Sequence, residues 1–361
     1  MQLSIAQNMK KKTTKLVIAA AMLVITIIGG MYIFYNENLK PTGSSEDKVI
    51  LTIEDGATFQ DLFDLLDENG LMKNQLVAKL YLKLHKVDGL HVNSYELNKG
   101  MSLPEIIDAV TTGDTDYLVK IRVTIPEGLT LPQIAEIVAE SCGVSKQEVM
   151  DQWNNREYLD KLVSEYWFLN ADEIFQDGIK YPLEGYLFPE TYTLTTKKPT
   201  VDDLTYAMLE MTSQKLHEYE EGMNKMQLTP HEFLTFASIV ERESLFDKDR
   251  PMIAEAFINR LQQDMPLESD ITVLYALERT GVDLSYAEID SVADSPYNTY
   301  KRTGLPIGPI SSVSDITMKS CVNHADHDYL FFYAGPDGTV YYAKTYDEHL
   351  QNVDAYPWPD E

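Results

Sequence analysis

Two carboxylates separated by one residue, Glu241 and Glu243, lie in the stretch Leu228 to Leu245, LTPHEFLTFASIVERESL. A carboxyl group set against apolar surface suits general acid catalysis, because desolvation disfavours its charged form and raises its pKa towards neutrality. The stretch carries the start signals of a helix: Thr229 as N-cap, Pro230 at the first helical position and Glu232 three residues after the cap. Phe233, Phe236, Ala237 and Val240 then form an apolar stripe, which Glu243 continues. Glu241 lies about 200° round the helix from Glu243, so the two acids do not share a face and one of them is expected to enter an apolar cleft. Spacing leaves two readings of Glu243 open. It is either an acid at a cleft edge or the end of a buried face, paired with a cation such as Arg242 or Arg260.

A second candidate is Tyr181 to Thr193, YPLEGYLFPETYT, dense in aromatic residues and punctuated by Pro189. It reads as an ordered loop with short strands. Tyr186, Phe188, Glu190 and Tyr192 could line a glycan groove, since aromatic faces stack on sugar rings and carboxylates accept from hydroxyls. The alternative, favoured by spacing alone, is that the rings are core.

Other chemistries find little support. His324 and His327, with Asp326, Asp328 and His349 nearby, lack the spacing of a helical metal-ligand pair, and no metal is expected. No G-x-S-x-G, P-loop or dinucleotide glycine pattern occurs, so no cofactor is expected. Lys and Arg total 30 against 57 Asp and Glu, a formal charge of −27, which argues against nucleic acid as a partner. Cys142 and Cys321 are the two cysteines; a disulfide between them is open and not predicted.

The elements that must position these residues begin with a membrane anchor. Leu16 to Tyr35, LVIAAAMLVITIIGGMYIFY, is uncharged and about 20 residues long, enough to cross the hydrocarbon layer as a helix. Lys10, Lys11, Lys12 and Lys15 precede it, which places residues 1–15 in the cytoplasm and the acidic bulk of the chain outside. A cleaved signal peptide is disfavoured, because the apolar run is too long and no clear A-x-A site follows Tyr35. Residues 36–48 read as a polar tether. Beyond it, alternating apolar residues, a glycine and an amphipathic stretch recur: Val49 to Ile53 with Gly56, Val123 to Ile125 with Gly128, and a weaker copy around Gly100. Such strand–turn–helix units resemble LysM-like modules that bind cell-wall glycan, or serve as packing scaffold. The expected fold class is α+β: a transmembrane helix, a LysM-like subdomain over 49–118, and a mixed catalytic domain over 119–361.

An ordered series of motifs carries a wider resemblance. Ala237-Ser238-Ile239-Val240-Glu241-Arg242-Glu243-Ser244 is followed by Ala256-Phe257-Ile258-Asn259-Arg260-Leu261, then by Leu267-Glu268-Ser269-Asp270-Ile271-Thr272-Val273-Leu274-Tyr275. Ser295-Pro296-Tyr297-Asn298-Thr299-Tyr300 precedes Gly304-Leu305-Pro306-Ile307-Gly308-Pro309-Ile310, and Glu184 to Tyr192 supplies an E-G-x-x-F-P-E-T-Y stretch. The series resembles the MltG family of endolytic murein transglycosylases over essentially everything after the tether. Ile271 and Ile307 stand where that family usually has proline.

The resemblance implies a membrane-anchored lyase that cuts nascent peptidoglycan strands between N-acetylmuramic acid and N-acetylglucosamine. Glu243 acts there as the single acid and base, and a 1,6-anhydro end results. Glu184, Tyr186, Glu190, Tyr192, Glu241, Asp270, Thr272, Tyr275, Tyr297, Asn298 and Tyr300 are the expected substrate-binding set. The polar tips of Asp270, Thr272, Tyr275, Tyr297, Asn298 and Tyr300 would hold acetamido and hydroxyl groups, orient the acid or satisfy buried backbone. Penicillin-binding and elongation-complex proteins are the implied partners. The alternatives are a silent glycan-binding scaffold, or a water-using muramidase with Glu190 or Asp270 as its second carboxylate.

Overall fold

A computed structural model describes residues 2–281 and 284–358. Helices and three two-stranded sheets make a mixed α+β architecture. Internal packing divides the chain into residues 1–121 with 195–197, and residues 122–194 with 198–361.

The first unit opens on the helix Gln2–Leu39, whose stretch Lys15–Leu39 is long and apolar enough to cross a membrane. The helix runs into the segment whose composition suggested a tether. Asn36 and Asn38 permit this by donating their side-chain amides to the carbonyls of Tyr32 and Phe34, at 2.8 and 2.7 Å. Strands β1 (Lys48–Ile53) and β2 (Asn93–Asn98) pair antiparallel, with Leu51 opposite Tyr95. Between them lie the helices Phe59–Glu68 and Gln75–Leu84, and the helix Leu103–Thr112 follows β2. Thr58 with Asp61, and Ser102 with Glu105, form the capping boxes that start two of these helices. Leu51, Ile53, Leu62, Phe63, Leu66, Tyr95, Leu97, Ile106 and Val110 make the core, drawn from the apolar alternation of the strands and one stripe of each helix.

In the second unit β3 (Ile121–Thr124) pairs with β4 (Thr191–Leu194), and β5 (Phe331–Ala334) with β6 (Val340–Ala343) as an antiparallel hairpin. The rest is largely helical. The helix Pro230–Glu243 starts at the expected capping box: Thr229 N–H donates to Glu232 Oε2 at 2.8 Å, and Glu232 N–H to Thr229 Oγ1 at 3.2 Å. Helices Arg250–Gln262, Asp270–Ala276 and Asp315–Val322 pack around it. His231 and every residue from Phe233 to Glu241 are therefore buried, on all sides of the helix. The apolar stripe read from the sequence was one sector of a helix enclosed all round, so periodicity could not single out the face bearing chemistry.

The aromatic stretch turns inward. Tyr186 hydroxyl lies 2.7 Å from His231 Nδ1, whose Nε2 donates to the carbonyl of Ile307 at 2.7 Å, and Tyr192 hydroxyl donates to the Phe188 carbonyl at 2.6 Å. Gly185 adopts φ +78° between them. A Cβ there would fall 2.3 Å from Pro309 Cβ and 3.3 Å from the Ser311 carbonyl, so glycine is required both for the backbone and for the close approach. Cys142 and Cys321 are both buried as free thiols. His327 Nε2 donates to the Met252 carbonyl at 3.0 Å, and His324 lies 2.5 Å from Glu255, so both imidazoles have local partners.

Gly185→Ala should destabilise the second unit by about 3 kcal/mol, combining left-handed strain with overpacking against a rigid proline ring. Urea unfolding monitored by tryptophan emission measures it, with the midpoint moving to lower urea; an unchanged midpoint would contradict the packing described.

Candidate active site

Glu241 and Glu243 are separated by their surroundings. Glu241 is buried at 8 % exposure, and its Oε1 accepts from Arg250 Nη1 at 3.2 Å. Its Oε2 accepts from the backbone N–H of Ser314 at 2.9 Å and from the Ser314 hydroxyl at 2.6 Å. Three donors on one carboxylate, one of them a buried guanidinium, make Glu241 a clasp between its own helix and those beginning at Arg250 and Asp315.

Glu243, at the last position of the helix, is half-buried. Ser269 Oγ donates to its Oε1 at 2.5 Å, and among the described residues Oε2 takes no hydrogen bond. Loss of hydration pushes the Glu243 pKa up to about 7; the Ser269 hydroxyl opposes that rise, the nearby Asp270 charge adds to it, and Arg242 and Arg260 oppose it. Those two cations, the partners considered from the sequence, are bound elsewhere. Arg242 Nη1 donates to the Gly128 carbonyl at 2.7 Å, and Arg260 Nη1 donates to the carbonyls of Pro266 and Leu267 and to Glu268 Oε2, each at 3.0 Å. A carboxylic acid of pKa about 7, with one oxygen tied and the other open, can give up a proton and take it back near neutral pH.

The positioning of Ser269 explains the dense motif around it. Its N–H donates to Thr299 Oγ1 at 3.1 Å, its carbonyl accepts from Thr272 Oγ1 at 2.7 Å, and Thr272 and Thr299 hydroxyls meet at 2.8 Å. Asn298, wholly buried, donates to the carbonyls of Ile289 and Val292 and accepts from Tyr300 N–H at 3.0 Å. Tyr300 hydroxyl donates to Asp270 Oδ1 at 2.5 Å. Burial, then that bond to Asp270, raises the Tyr300 pKa, so the hydroxyl keeps its proton and the bond. Asp270, Tyr300, Ser269 and Glu243 thus form one linked group. Thr272 and Asn298 turn their polar atoms inward and hold the group in place.

Glu184 belongs to a different environment. Its Oε1 accepts from the Leu131 N–H at 2.8 Å and its Oε2 from the Tyr275 hydroxyl at 3.0 Å, and burial lifts its pKa to about 8. Tyr275 packs on Tyr297 with ring centroids 4.9 Å apart. Beside them opens a cleft of about 340 Å³ with Gln133, Lys180, Tyr181, Arg242, Ile271 and Tyr275 on its walls. Arg242 and Ile271 are the sequence neighbours of Glu243 and Asp270, but neither acid lines this cleft. Glu190 is exposed, and with Ser314 and Asp315 it lines a separate groove that includes neither Glu243 nor Asp270. Tyr186 and Tyr192 are buried.

Ile307 N–H donates to the Pro296 carbonyl at 3.3 Å, a bond that proline could not make, so the departure from proline is built into the turn. Ile271 sits in the first turn of the helix Asp270–Ala276, where no intrahelical donor is needed. Sequence reasoning passed over Ser269, Arg250 and Ser314. Arg250 is nine residues after Glu241 and Ser314 seventy-three, and no local spacing announces either. Ser269 stood inside a quoted motif beside Asp270, yet its hydroxyl meets Glu243 only across two helices.

With this geometry in view, comparison with known proteins is specific. The YceG-like family model matches residues 51–355, and the chain belongs to that family. A Bacillus subtilis (strain 168) protein named endolytic murein transglycosylase is 35% identical over 331 residues, covering 91% of this chain and 91% of that protein. A Streptococcus pneumoniae serotype 2 (strain D39) protein of the same name is 34% identical over 354 residues, covering 93% of this chain but 64% of the longer relative. A crystal structure of a yceG-like protein from Listeria monocytogenes superposes with a TM-score of 0.61 at 33% identity, covering 85% of this chain and 99% of that one.

The two acids predict opposite phenotypes. Glu241→Ala leaves the Arg250 charge buried without its main partner and should cost roughly 3 kcal/mol in urea unfolding. Glu243→Gln should leave stability nearly unchanged at pH 4 and raise it at pH 8, because a carboxyl lifted from 4.5 to about 7 by folding costs stability progressively between those two values. In carboxyl ¹³C NMR titrations Ser269→Ala should move the Glu243 midpoint above about 7 and Asp270→Asn below it. Shifts in the same direction for both variants would contradict the assignment of the two influences.

Proposed function

We propose that this chain is a membrane-anchored enzyme that cuts peptidoglycan glycan strands internally, with Glu243 as its acid and base. The observation that carries the reading is the half-buried Glu243 carboxyl, pushed up to about 7 and held through Oε1 by Ser269 with Oε2 open. The family and the printed names of its relatives support the substrate.

In this reading the protonated Oε2 donates to the glycosidic oxygen linking N-acetylmuramic acid to N-acetylglucosamine. The bond from the anomeric carbon to that oxygen breaks, the leaving sugar departs with the proton, and positive charge develops on the muramic ring. The Glu243 carboxylate then takes the proton of the C6 hydroxyl as its oxygen bonds to the anomeric carbon. A 1,6-anhydro end forms, no water is consumed, and the acid is restored. Ser269 holds the carboxyl in one rotamer through both steps. Tyr300 and Asp270 are proposed to contact the sugar at the cut. Tyr181, Tyr275 and Gln133 offer rings and an amide in the adjoining cleft for a neighbouring residue of the strand.

A second reading keeps Glu243 as acid and has Asp270 activate a water on the opposite face of the ring, giving a hydrolysed end. The electrostatic coupling of Asp270 to Glu243 favours it over Glu190 in that role. The strand–helix–helix–strand order between Lys48 and Asn98 supports the LysM-like, glycan-binding reading of the first unit. The lysines before the apolar helix favour a cytoplasmic N-terminus, with cleavage outside the membrane that the helix spans. Wall-synthesis proteins would be met there.

The test is to incubate the full-length protein in detergent with uncrosslinked glycan strands and to identify the ends by mass spectrometry. Anhydro-ended fragments are expected, with Glu243→Gln slower by at least about 10²-fold. Hydrated ends abolished by Asp270→Asn would select the muramidase; binding without fragments would leave a scaffold. The rate should fall as pH rises through about 7, where Glu243 loses the proton it must donate.

A further inference from the structure

The helix Gln75–Leu84 carries a row of leucines on the outside of the first unit. Leu76 is 76 % exposed, Leu80 44 % and Leu84 64 %. At 100° per residue these i, i+4, i+8 positions fall within one sector about 80° wide; the buried Val77 borders that sector, and the buried Ala78 lies on the opposite side. Lys79 and Lys83 flank the leucines on one side. The segment Leu71 to Val87 holds four lysines, Lys73, Lys79, Lys83 and Lys86, and no acid, within a chain of formal charge −27.

The row is continuous with the apolar anchor. Leu76, Val77 and Leu80 share a groove with Ile27, Met31 and Phe34 of the helix Gln2–Leu39, and Lys73 Nζ donates to the Glu37 carbonyl at 3.2 Å. Ile27 to Tyr35 covers about 12 Å along the helix axis. The contact therefore lies beside the last turns of the span and not beyond them.

We propose that the Gln75–Leu84 helix is a second membrane contact, lying in the headgroup region of the bilayer that the N-terminal helix spans, with Leu76, Leu80 and Leu84 in the acyl boundary and Lys79, Lys83 and Lys86 on anionic phospholipid headgroups. The proposal rests on the anchor reading of the first helix. A helix set against a spanning segment at that depth meets lipid on its free side, and lipid there covers the three leucines. The lysine stems run along the apolar surface and carry their charges up to the phosphates. Two attachment points fix the first unit as a body on the membrane surface, where a single helix would leave it free to swivel.

The test uses the full-length protein in vesicles of phosphatidylcholine and phosphatidylglycerol, with a fluorophore at Leu84→Cys, at Met31→Cys within the span, or at the exposed Glu68→Cys. Lipids bearing a nitroxide near the headgroup end of the acyl chain serve as quenchers. Most of the emission at positions 84 and 31 should be lost while position 68 keeps its own, and Lys79→Glu with Lys83→Glu should weaken quenching at 84 alone. Quenching at 31 without quenching at 84 overturns the proposal and keeps the anchor. Quenching at neither overturns both. A probe at 84 shielded from water but untouched by the lipid quencher points to a second copy or another protein on this face, and also overturns it.

Discussion

Glu241 accepts from Arg250 and twice from Ser314, and the rest of the candidate site depends on that buried clasp. It ties the last turn of the helix Pro230–Glu243 to the starts of two neighbouring helices through three donors. The last turn of the helix is thereby fixed in space, and Glu243 can emerge at its end with only Ser269 bound to it. Two identical side chains two residues apart end in different surroundings: Glu241 takes three donors, one of them cationic, while Glu243 has a single hydroxyl and a desolvated carboxyl whose pKa is pushed up to about 7.

Much of the polar density in the second unit supports this arrangement from behind. Asn298 holds the turn that presents Thr299; Thr299 and Thr272 hold Ser269; Arg260 gathers the carbonyls of Pro266 and Leu267 at the entry to that segment. The E-G-x-x-F-P stretch is locked in the same manner, through Glu184 to Leu131 and Tyr275, and through Tyr186 and His231 to Ile307. A buried polar group must be satisfied, and in this unit the satisfaction runs between motifs distant in sequence. The motifs are thus spread along the chain but joined in one network. Residues of that network hold geometry, and the few polar atoms left open beside Glu243 are the ones available to a substrate.

The first unit is governed by a different balance. Its core is small and apolar, and its helices are capped by their own side chains. The surplus of leucine and lysine on one helix has no use in that core. Placed beside an apolar helix long enough to cross a bilayer, the same residues would have a natural environment in the lipid interface.

The sequence by itself determined the local elements: the long N-terminal helix from its run of uncharged apolar residues, the Pro230–Glu243 helix from Thr229, Pro230 and Glu232, and the strand–helix alternation from Val49 onward. These follow from interactions within a few residues, which spacing records directly. The ordered motifs also named Glu243, and put Asp270 and Tyr300 among eleven further expected site residues. Only the tertiary structure decided which acid took three donors and which took one, since Arg250, Ser314 and Ser269 reach the carboxylates across helices at separations no periodicity encodes. It also decided that Tyr186, Tyr192, Thr272 and Asn298 turn their polar atoms inward, because burial is a property of the assembled surroundings. The pKa of a carboxyl group is set by desolvation and by every nearby charge together, and those are known only once the chain has folded around it.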